Sequence, residues 1–149
     1  MLKKLIIAAA VLASTLAHAD TSVLVFGKSW HFDKHYNYDY NQVNYGLGVE
    51  WGPHDSGWFV GGYALKDSMN QLGYAAYGGY RYQYHIGDSG FHLDAAIRAG
   101  YIKDARYHGP GALPTVGVGY KHAALELAYI PKVNKYQAQA LVLFGRYTF

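Results

Sequence analysis

Strict alternation, every second residue, is what most restricts this chain. Phe91, Leu93, Ala95, Ile97, Ala99 and Tyr101 alternate with His92, Asp94, Ala96, Arg98 and Gly100. Tyr45, Leu47, Val49 and Trp51 alternate with Asn44, Gly46, Gly48 and Glu50. Leu125, Leu127 and Tyr129 do so with Glu126, Ala128 and Ile130, and Leu141, Leu143, Tyr147 and Phe149 share one parity at the end. A period of two belongs to strands whose two faces meet unlike surroundings. With 149 residues the chain forms one domain. At 51% hydrophobic and 15% charged residues it does not have the composition of a disordered chain. The absence of cysteine excludes a disulfide scaffold and thiolate metal sites.

The first residues are of another kind. Met1-Leu2-Lys3-Lys4 is a cationic start, followed by an apolar run from Leu5 to Leu16 and then Ala17-His18-Ala19. This is the pattern of a secretory signal peptide, too short to span a bilayer, with cleavage expected after Ala19. The mature chain, residues 20–149, is then a single domain starting at Asp20. Without Lys3 and Lys4 the formal charge of +3 falls to about +1, which gives no electrostatic case for nucleic acid.

Between turn signals the alternation gives eight strands, at 22–31, 44–52, 57–67, 72–82, 91–101, 114–120, 124–131 and 137–149. Turns are expected at Pro53-His54-Asp55-Ser56-Gly57, Gly87-Asp88-Ser89-Gly90 and Lys121-His122. Longer connections fall at about 32–43 and 102–113, and shorter ones near 68–71 and 132–136. Strands of this length, an even strand count and 16 tyrosines available for interfacial girdles predict an all-β fold. Specifically, they predict an eight-stranded antiparallel transmembrane β-barrel of the bacterial outer membrane, and the aromatic ending Tyr147…Phe149 fits it. A soluble barrel of lipocalin type is the competing architecture, but it would place apolar residues inside and polar ones outside.

With both termini on the periplasmic side, the inward parity can be read by height. Its lower part holds Glu50, Arg81, His92, Asp94, Glu126 and Arg146, which can pair with one another. Its upper part holds Gly46, Gly48, Ala128, Ile130, Ala140 and Val142, which are small or apolar; Arg98 breaks the pattern. A lumen polar below and apolar above predicts a hydrocarbon pocket opening outward. Glycines that merely relieve crowding in a narrow barrel are the plainer reading.

Few residues offer chemistry. There is no metal-ligand spacing, no nucleophile elbow and no phosphate loop, so neither a metal nor another cofactor is expected. His31 lies on the parity of Gly27 and Ser29 at the outer end of the first strand, and Asp67-Ser68 ends the third. A histidine, a carboxylate and a hydroxyl at the mouth of an apolar pocket suit acyl transfer, with His31 moving a proton, Asp67 orienting it and Ser68 attacking or positioning. Asp55-Ser56 and Asp88-Ser89 precede glycine in the opposite turns and read as turn chemistry.

Several landmarks resemble a known family. Ser29-Trp30-His31, Tyr63-Ala64-Leu65-Lys66-Asp67-Ser68-Met69-Asn70, Ala76-Tyr77-Gly78, Phe91-His92-Leu93, Leu113-Pro114, Val118-Gly119-Tyr120 and Tyr129-Ile130-Pro131 are similar, in order, to those of the PagP-type lipid A palmitoyltransferases. The Trp-His pair and the Lys-Asp-Ser-x-Asn run are the specific parts. The resemblance implies that His31, Asp67 and Ser68 are the required polar residues, and that a palmitoyl chain moves from a phospholipid donor to lipid A in the outer leaflet. It further implies that Gly78, with Gly79 beside it in an open register, lies at the floor of the acyl pocket. Pro114 and Pro131 would interrupt strand pairing and open a lateral route for lipid, since proline lacks the ladder donor. Whether Ser68 forms an acyl-enzyme is left open.

The chain departs from that family in having no N-terminal amphipathic helix, a shorter first external loop, and no proline in strand one or early in strand two. The expected partners are the donor phospholipid, lipid A and surrounding outer-membrane lipids, with the barrel acting as a monomer. Two other functions compete. One is a non-enzymatic barrel for adhesion, surface masking or membrane integrity that acts through the 102–113 loop. The other is a lipid A deacylase, disfavoured because the last strand carries no histidine or serine.

Overall fold

A computed structural model describes residues 19–32, 40–132 and 139–149. The strands are β1 (Ala19–His31), β2 (Val43–Pro53), β3 (Trp58–Lys66), β4 (Leu72–His85), β5 (Phe91–Lys103), β6 (His108–Tyr120), β7 (Ala123–Ile130) and β8 (Ala140–Thr148). Each pairs antiparallel with the next, and β8 returns to β1, so the sheet closes into a barrel with no free edge. No helix occurs among the described residues. The signal segment to residue 18 and most of the expected 32–43 and 132–136 connections lie outside them.

The faces are inverted relative to a soluble barrel. Leu47, Val49, Val60, Ile97, Val116 and Leu125 point outward and are exposed, while Glu50, Asp94, Arg98, Glu126 and Arg146 are buried inside. This excludes the lipocalin-type alternative, because only a hydrocarbon solvent makes such an exterior favourable. Aromatic pairs mark the end with the short turns: Trp58 with Tyr80, Phe91 with Tyr120, and Tyr147 with Phe149, all with ring centroids 4.9–5.0 Å apart. At the opposite, loop end Lys28 lies over Trp30 and Lys103 over Tyr74, each about 5 Å from the ring. Amphipathic rings and snorkelling lysines at both rims are the anchors of a membrane-spanning barrel.

Two departures from the expected strands matter for the site. First, the alternation of β1 slips. Ser22, Leu24 and Phe26 point inward, and a bulge between Phe26 and Lys28, recorded against both β2 and β8, shifts the parity so that Ser29 also points inward. A bulge re-aims the side chains beyond it, and here it turns Ser29 and His31 toward the lumen. Second, the 102–113 connection is mostly strand: β5 runs to Lys103 and β6 starts at His108, leaving 104–107 as the loop. Gly109, Pro110 and Gly111 fall within that expected connection, yet they pair with β5. Proline is tolerated where a strand needs only one neighbour, and β6 pairs with β7 only from Thr115 onward.

The turn-end half of the lumen is filled by charge. Arg98 donates to Glu50 (2.7 Å), Thr115 (2.8 Å) and Glu126 (2.9 Å). Arg146 donates to Glu126 (2.6 Å) and to Asp94, and Arg81 donates to Glu50 (2.6 Å). Three guanidinium groups thus face three carboxylates. Arg98, which breaks the apolar pattern of the upper lumen, is the top of this layer, with its guanidinium over the rings of Phe59 and Phe144.

Candidate active site

Above the ion-pair layer lies a cavity of about 190 Å³ that opens at the loop end. Its apolar wall includes Phe26, Leu113, Ala128, Val142 and Phe144, and His31, Asp67 and Ser68 stand among its lining residues. The inward residues of the upper lumen divide into two groups. Ala128, Ile130, Ala140 and Val142 line the space as expected. Gly46 and Gly48 do not: a side chain at Gly48 would meet Tyr63 at 2.9 Å and Leu24 at 3.2 Å, and one at Gly46 would collide with Leu65. On that wall the glycines relieve crowding.

The three polar candidates share the mouth but do not form a relay. Asp67 is buried, and its Oδ1 accepts hydrogen bonds from the backbone N–H groups of Met69 and Gln71, both at 2.8 Å. Its Oδ2 accepts from the N–H of Ala105, also at 2.8 Å. The carboxylate is therefore committed to the β3–β4 turn and to the β5–β6 loop, and no hydrogen bond joins it to His31 among the described residues. The same turn explains the Lys-Asp-Ser-x-Asn run. Asn70 adopts a left-handed φ of 61°, which asparagine tolerates, and its N–H closes on the carbonyl of Asp67 at 3.0 Å.

The Ser68 hydroxyl accepts from the amide of Asn44 at 3.5 Å, and that amide also donates to the carbonyl of Lys66 at 3.0 Å. His31 stacks flat on Tyr40, with centroids 4.4 Å apart and planes 8° from parallel. Ser29 Oγ, His31 Nδ1, Tyr40 OH and Asn44 Oδ1 are buried, all on residues that line the cavity, and none has a hydrogen-bond partner among the described residues. Ser29 is 1% and Asn44 3% exposed. Buried polar atoms without partners are costly, so their concentration at one mouth marks where a polar part of a ligand would be held. Sequence reasoning missed Asn44 and Tyr40. Asn44 carries a signal, since it is a polar residue on the inward parity near the end of an otherwise apolar half-lumen.

Asp104 completes the loop side, its Oδ1 accepting from the N–H groups of Arg106 (2.8 Å) and Tyr107 (2.7 Å). Burial pushes its carboxyl above the ordinary value. The two backbone donors oppose this and the nearby Asp67 carboxylate adds to it.

Gly78 does not hold the position expected of it. It faces outward in β4, where an added side chain would touch only the carbonyl of Phe59, at 3.8 Å. Gly79 faces the lumen, and the ring of Phe59 fills the space that its side chain would need. Neither glycine lines the cavity, whose lower boundary is formed by Tyr77, Arg98 and Phe144. The reason is the alternation itself: Gly73, Ala75 and Tyr77 point inward, so the even position cannot.

The prolines flank a seam. Pro114 lies opposite Ile97 of β5, but β6–β7 pairing ends at Thr115 with Ala128, although β7 continues to Ile130 against β8. From Pro114 toward the loops β6 has no ladder partner on its second side among the described residues, and Pro131, just beyond β7, lines the cavity.

These features define a membrane-spanning β-barrel with an apolar, loop-facing pocket, a polar rim and a break in its wall. The family described as "Antimicrobial peptide resistance and lipid A acylation protein PagP" matches residues 11–146, and the chain belongs to that family. No curated protein matches it. A solved structure reported under "De novo design of transmembrane beta-barrels" is similar at a TM-score of 0.51 and 13% identity, covering 89% of this chain and 96% of the other. That likeness concerns the fold alone.

Proposed function

We propose that this chain is an acyltransferase of the bacterial outer membrane that moves an acyl chain from a phospholipid to lipid A in the outer leaflet. Palmitoyl is the chain that the resemblance implies. The observation that carries the reading is a closed-bottomed apolar pocket with His31 and Ser68 at its mouth. Lipid would reach it through the seam at Pro114 and Pro131, and the acyl chain would enter the pocket with its ester at the rim. His31 accepts the proton of the attacking hydroxyl as that oxygen bonds to the ester carbonyl carbon. The bond from that carbon to the glycerol oxygen then breaks, and the same proton returns to the departing lysophospholipid. The attacking hydroxyl belongs to lipid A directly, or to Ser68 in a two-stage route. Asp67 serves by fixing the turn that presents Ser68. The chain would reach the membrane through a signal peptide cleaved after Ala19.

The test is a lipid A mass spectrum from a palmitoyltransferase-deficient host that expresses the wild type or Ser68→Ala. One added acyl group with the wild type alone supports the assignment. Unchanged lipid A beside a folded, heat-modifiable barrel turns the reading to a non-enzymatic surface role.

A further inference from the structure

Of the four unpartnered atoms at the pocket mouth, Ser29 Oγ, Tyr40 OH and His31 Nδ1 can each donate or accept. Asn44 Oδ1 can only accept. The side-chain amide of Asn44 fits only one way round. Its Nδ2 donates to the Lys66 carbonyl at 3.0 Å and to Ser68 Oγ at 3.5 Å, and turning it over would set two carbonyl oxygens against each other. Oδ1 is therefore the atom left without a partner among the described residues, on a side chain that is 3% exposed and lines the pocket. A buried acceptor so placed calls for a ligand that brings an N–H or O–H.

We infer that Asn44 and Ser29 form a specificity-determining subsite for the acyl acceptor, holding a neutral N–H or O–H group of lipid A beside the hydroxyl that reacts. This rests on the acyl-transfer reading for its substrate and adds how the site tells the two lipids apart. The scissile end of a phospholipid offers only ester oxygens, which cannot satisfy Asn44 Oδ1. Lipid A is an acylated glucosamine disaccharide, with amide N–H groups and hydroxyls beside its chains. Its reacting hydroxyl gives its proton to His31, so the group held at Asn44 is a second one.

The backbone sets the two side chains across from each other. The bulge in β1 turns Ser29 inward, and its N–H donates to the carbonyl of Gln42 at 2.8 Å. Asn44, two residues farther along β2, is thereby a diagonal neighbour on the same inward face, about 7–8 Å away between Cα atoms. Neither side chain bonds to the other. A hydroxyl or an amide both donates and accepts, so one such group between them satisfies Asn44 Oδ1 and the Ser29 hydroxyl together. The nearby Asp67 carboxylate already accepts from three backbone N–H groups, which suits the rim to a neutral donor rather than to a cation.

The experiment gives the purified barrel phosphatidylcholine, whose headgroup has no N–H or O–H, with lipid A as acceptor, and measures acylated lipid A and free fatty acid separately. Free fatty acid forms when water takes the place of the acceptor: its oxygen bonds to the ester carbonyl carbon, and its proton passes through His31 to the departing lysophospholipid. Ser29→Ala and Asn44→Leu should each raise KM for lipid A about fivefold and turn the products toward free fatty acid, with KM for phosphatidylcholine unchanged. Ser29→Ala carries the test should Asn44→Leu fail to fold, since the Ser29 side chain has no hydrogen bond to lose among the described residues. In parallel, N-octanoylglucosamine, octyl glucoside and methyl octanoate are titrated into the barrel held in amphipol, a readout that needs no catalysis. Both substitutions should weaken N-octanoylglucosamine about fivefold and leave methyl octanoate, which has no donor, unchanged. Octyl glucoside weakened equally assigns the subsite to a hydroxyl, and octyl glucoside unchanged assigns it to the amide. Transfer and hydrolysis that fall in one proportion, with every KM and probe affinity unmoved, overturn the subsite and leave acyl transfer standing. A wild type that neither transfers nor hydrolyses ends the acyl-transfer reading. The titration then decides the subsite alone, and probes that respond alike to the substitutions overturn it.

Discussion

Asp67→Asn separates two accounts of the site. If Asp67 oriented His31, as in a catalytic triad, its loss would alter the protonation behaviour of the histidine. The geometry predicts a different effect. An asparagine can keep its oxygen on the Met69 and Gln71 N–H groups, but it then turns an NH₂ toward the N–H of Ala105, which Oδ2 of the aspartate accepts at 2.8 Å. A hydrogen bond to a charged acceptor is worth about 1.5–3 kcal/mol net, and the opposed donors leave a buried N–H without a partner. The tie between the β3–β4 turn and the β5–β6 loop should weaken by about 2–3 kcal/mol, a factor of about 30 to 150 in the opening equilibrium.

Amide hydrogen exchange in micelles reads this directly: exchange at Ala105 accelerates by that factor, while amides of the barrel wall such as Ile97 keep their protection. Transfer falls because Ser68 is presented less often, and the pH at which the rate declines on the acid side stays where it is in the wild type. His31→Asn should instead abolish transfer with Ala105 exchange unchanged. The reasoning is refuted if Asp67→Asn leaves Ala105 protected and moves the acid limb, since the carboxylate would then be acting on His31.

Three further outcomes are expected. Glu126 is 1% exposed and accepts from Arg98 and Arg146, so Glu126→Gln leaves three guanidinium groups against two carboxylates. It should cost about 3–5 kcal/mol in urea unfolding from lipid vesicles, and a loss under about 1 kcal/mol would contradict the network. Extending the β6–β7 register beyond Thr115 and Ala128 puts Pro114 opposite Tyr129, so a Pro114→Cys, Tyr129→Cys pair in this cysteine-free chain should close the seam on oxidation. Transfer should stop and return with reductant; full transfer through the oxidised barrel would remove the lateral route. In the β2–β3 turn, the hydrogen bond and charge of Asp20 hold the His54 imidazole above its ordinary 6.5, helped by Asp55. The contribution of that contact is complete below 6.5 and is lost as pH rises through the elevated value. An NMR titration of His54 should fall back toward 6.5 in Asp20→Asn, and an unchanged curve would remove the contact.

The readable parts of this molecule are those that depend on parity alone. The alternation placed Glu50, Arg81, Asp94, Glu126 and Arg146 in one half of the lumen and Ala128, Ala140 and Val142 in the other, because an inward side chain is fixed by counting along a strand. The same counting that turns Arg81 inward also turns Gly79 inward, so the outward position of Gly78 was already contained in the sequence, and the likeness of a motif pointed to its neighbour. The β1 bulge could not be read this way. Gly27 carries no conformational demand that distinguishes it from a strand glycine, and one extra residue reverses every side chain beyond it. The role of Asp67 was hidden for another reason. Its Oδ2 partner is a backbone N–H at Ala105, in a loop whose path no periodicity determines.

The division of the lumen has a consequence for how such a site can be built at all. A pocket that holds a saturated chain cannot use polar side chains for rigidity along its length, because each would remain unpartnered in the empty pocket and against the chain. Nor can it rely on dense packing, since the space must stay open. The stiffness must come from below, and Arg98 is where the two halves join. Its guanidinium spends its hydrogen bonds on Glu50, Thr115 and Glu126, while its face lies against Phe59 and Phe144. One cation thereby backs the Phe144 ring that lines the pocket while its donors close a neutralised network. A lysine at that position could supply the charge but neither the flat face nor the three-way fork. The residue that broke the apolar pattern of the upper lumen is therefore the one that lets an apolar pocket rest on a charged plug.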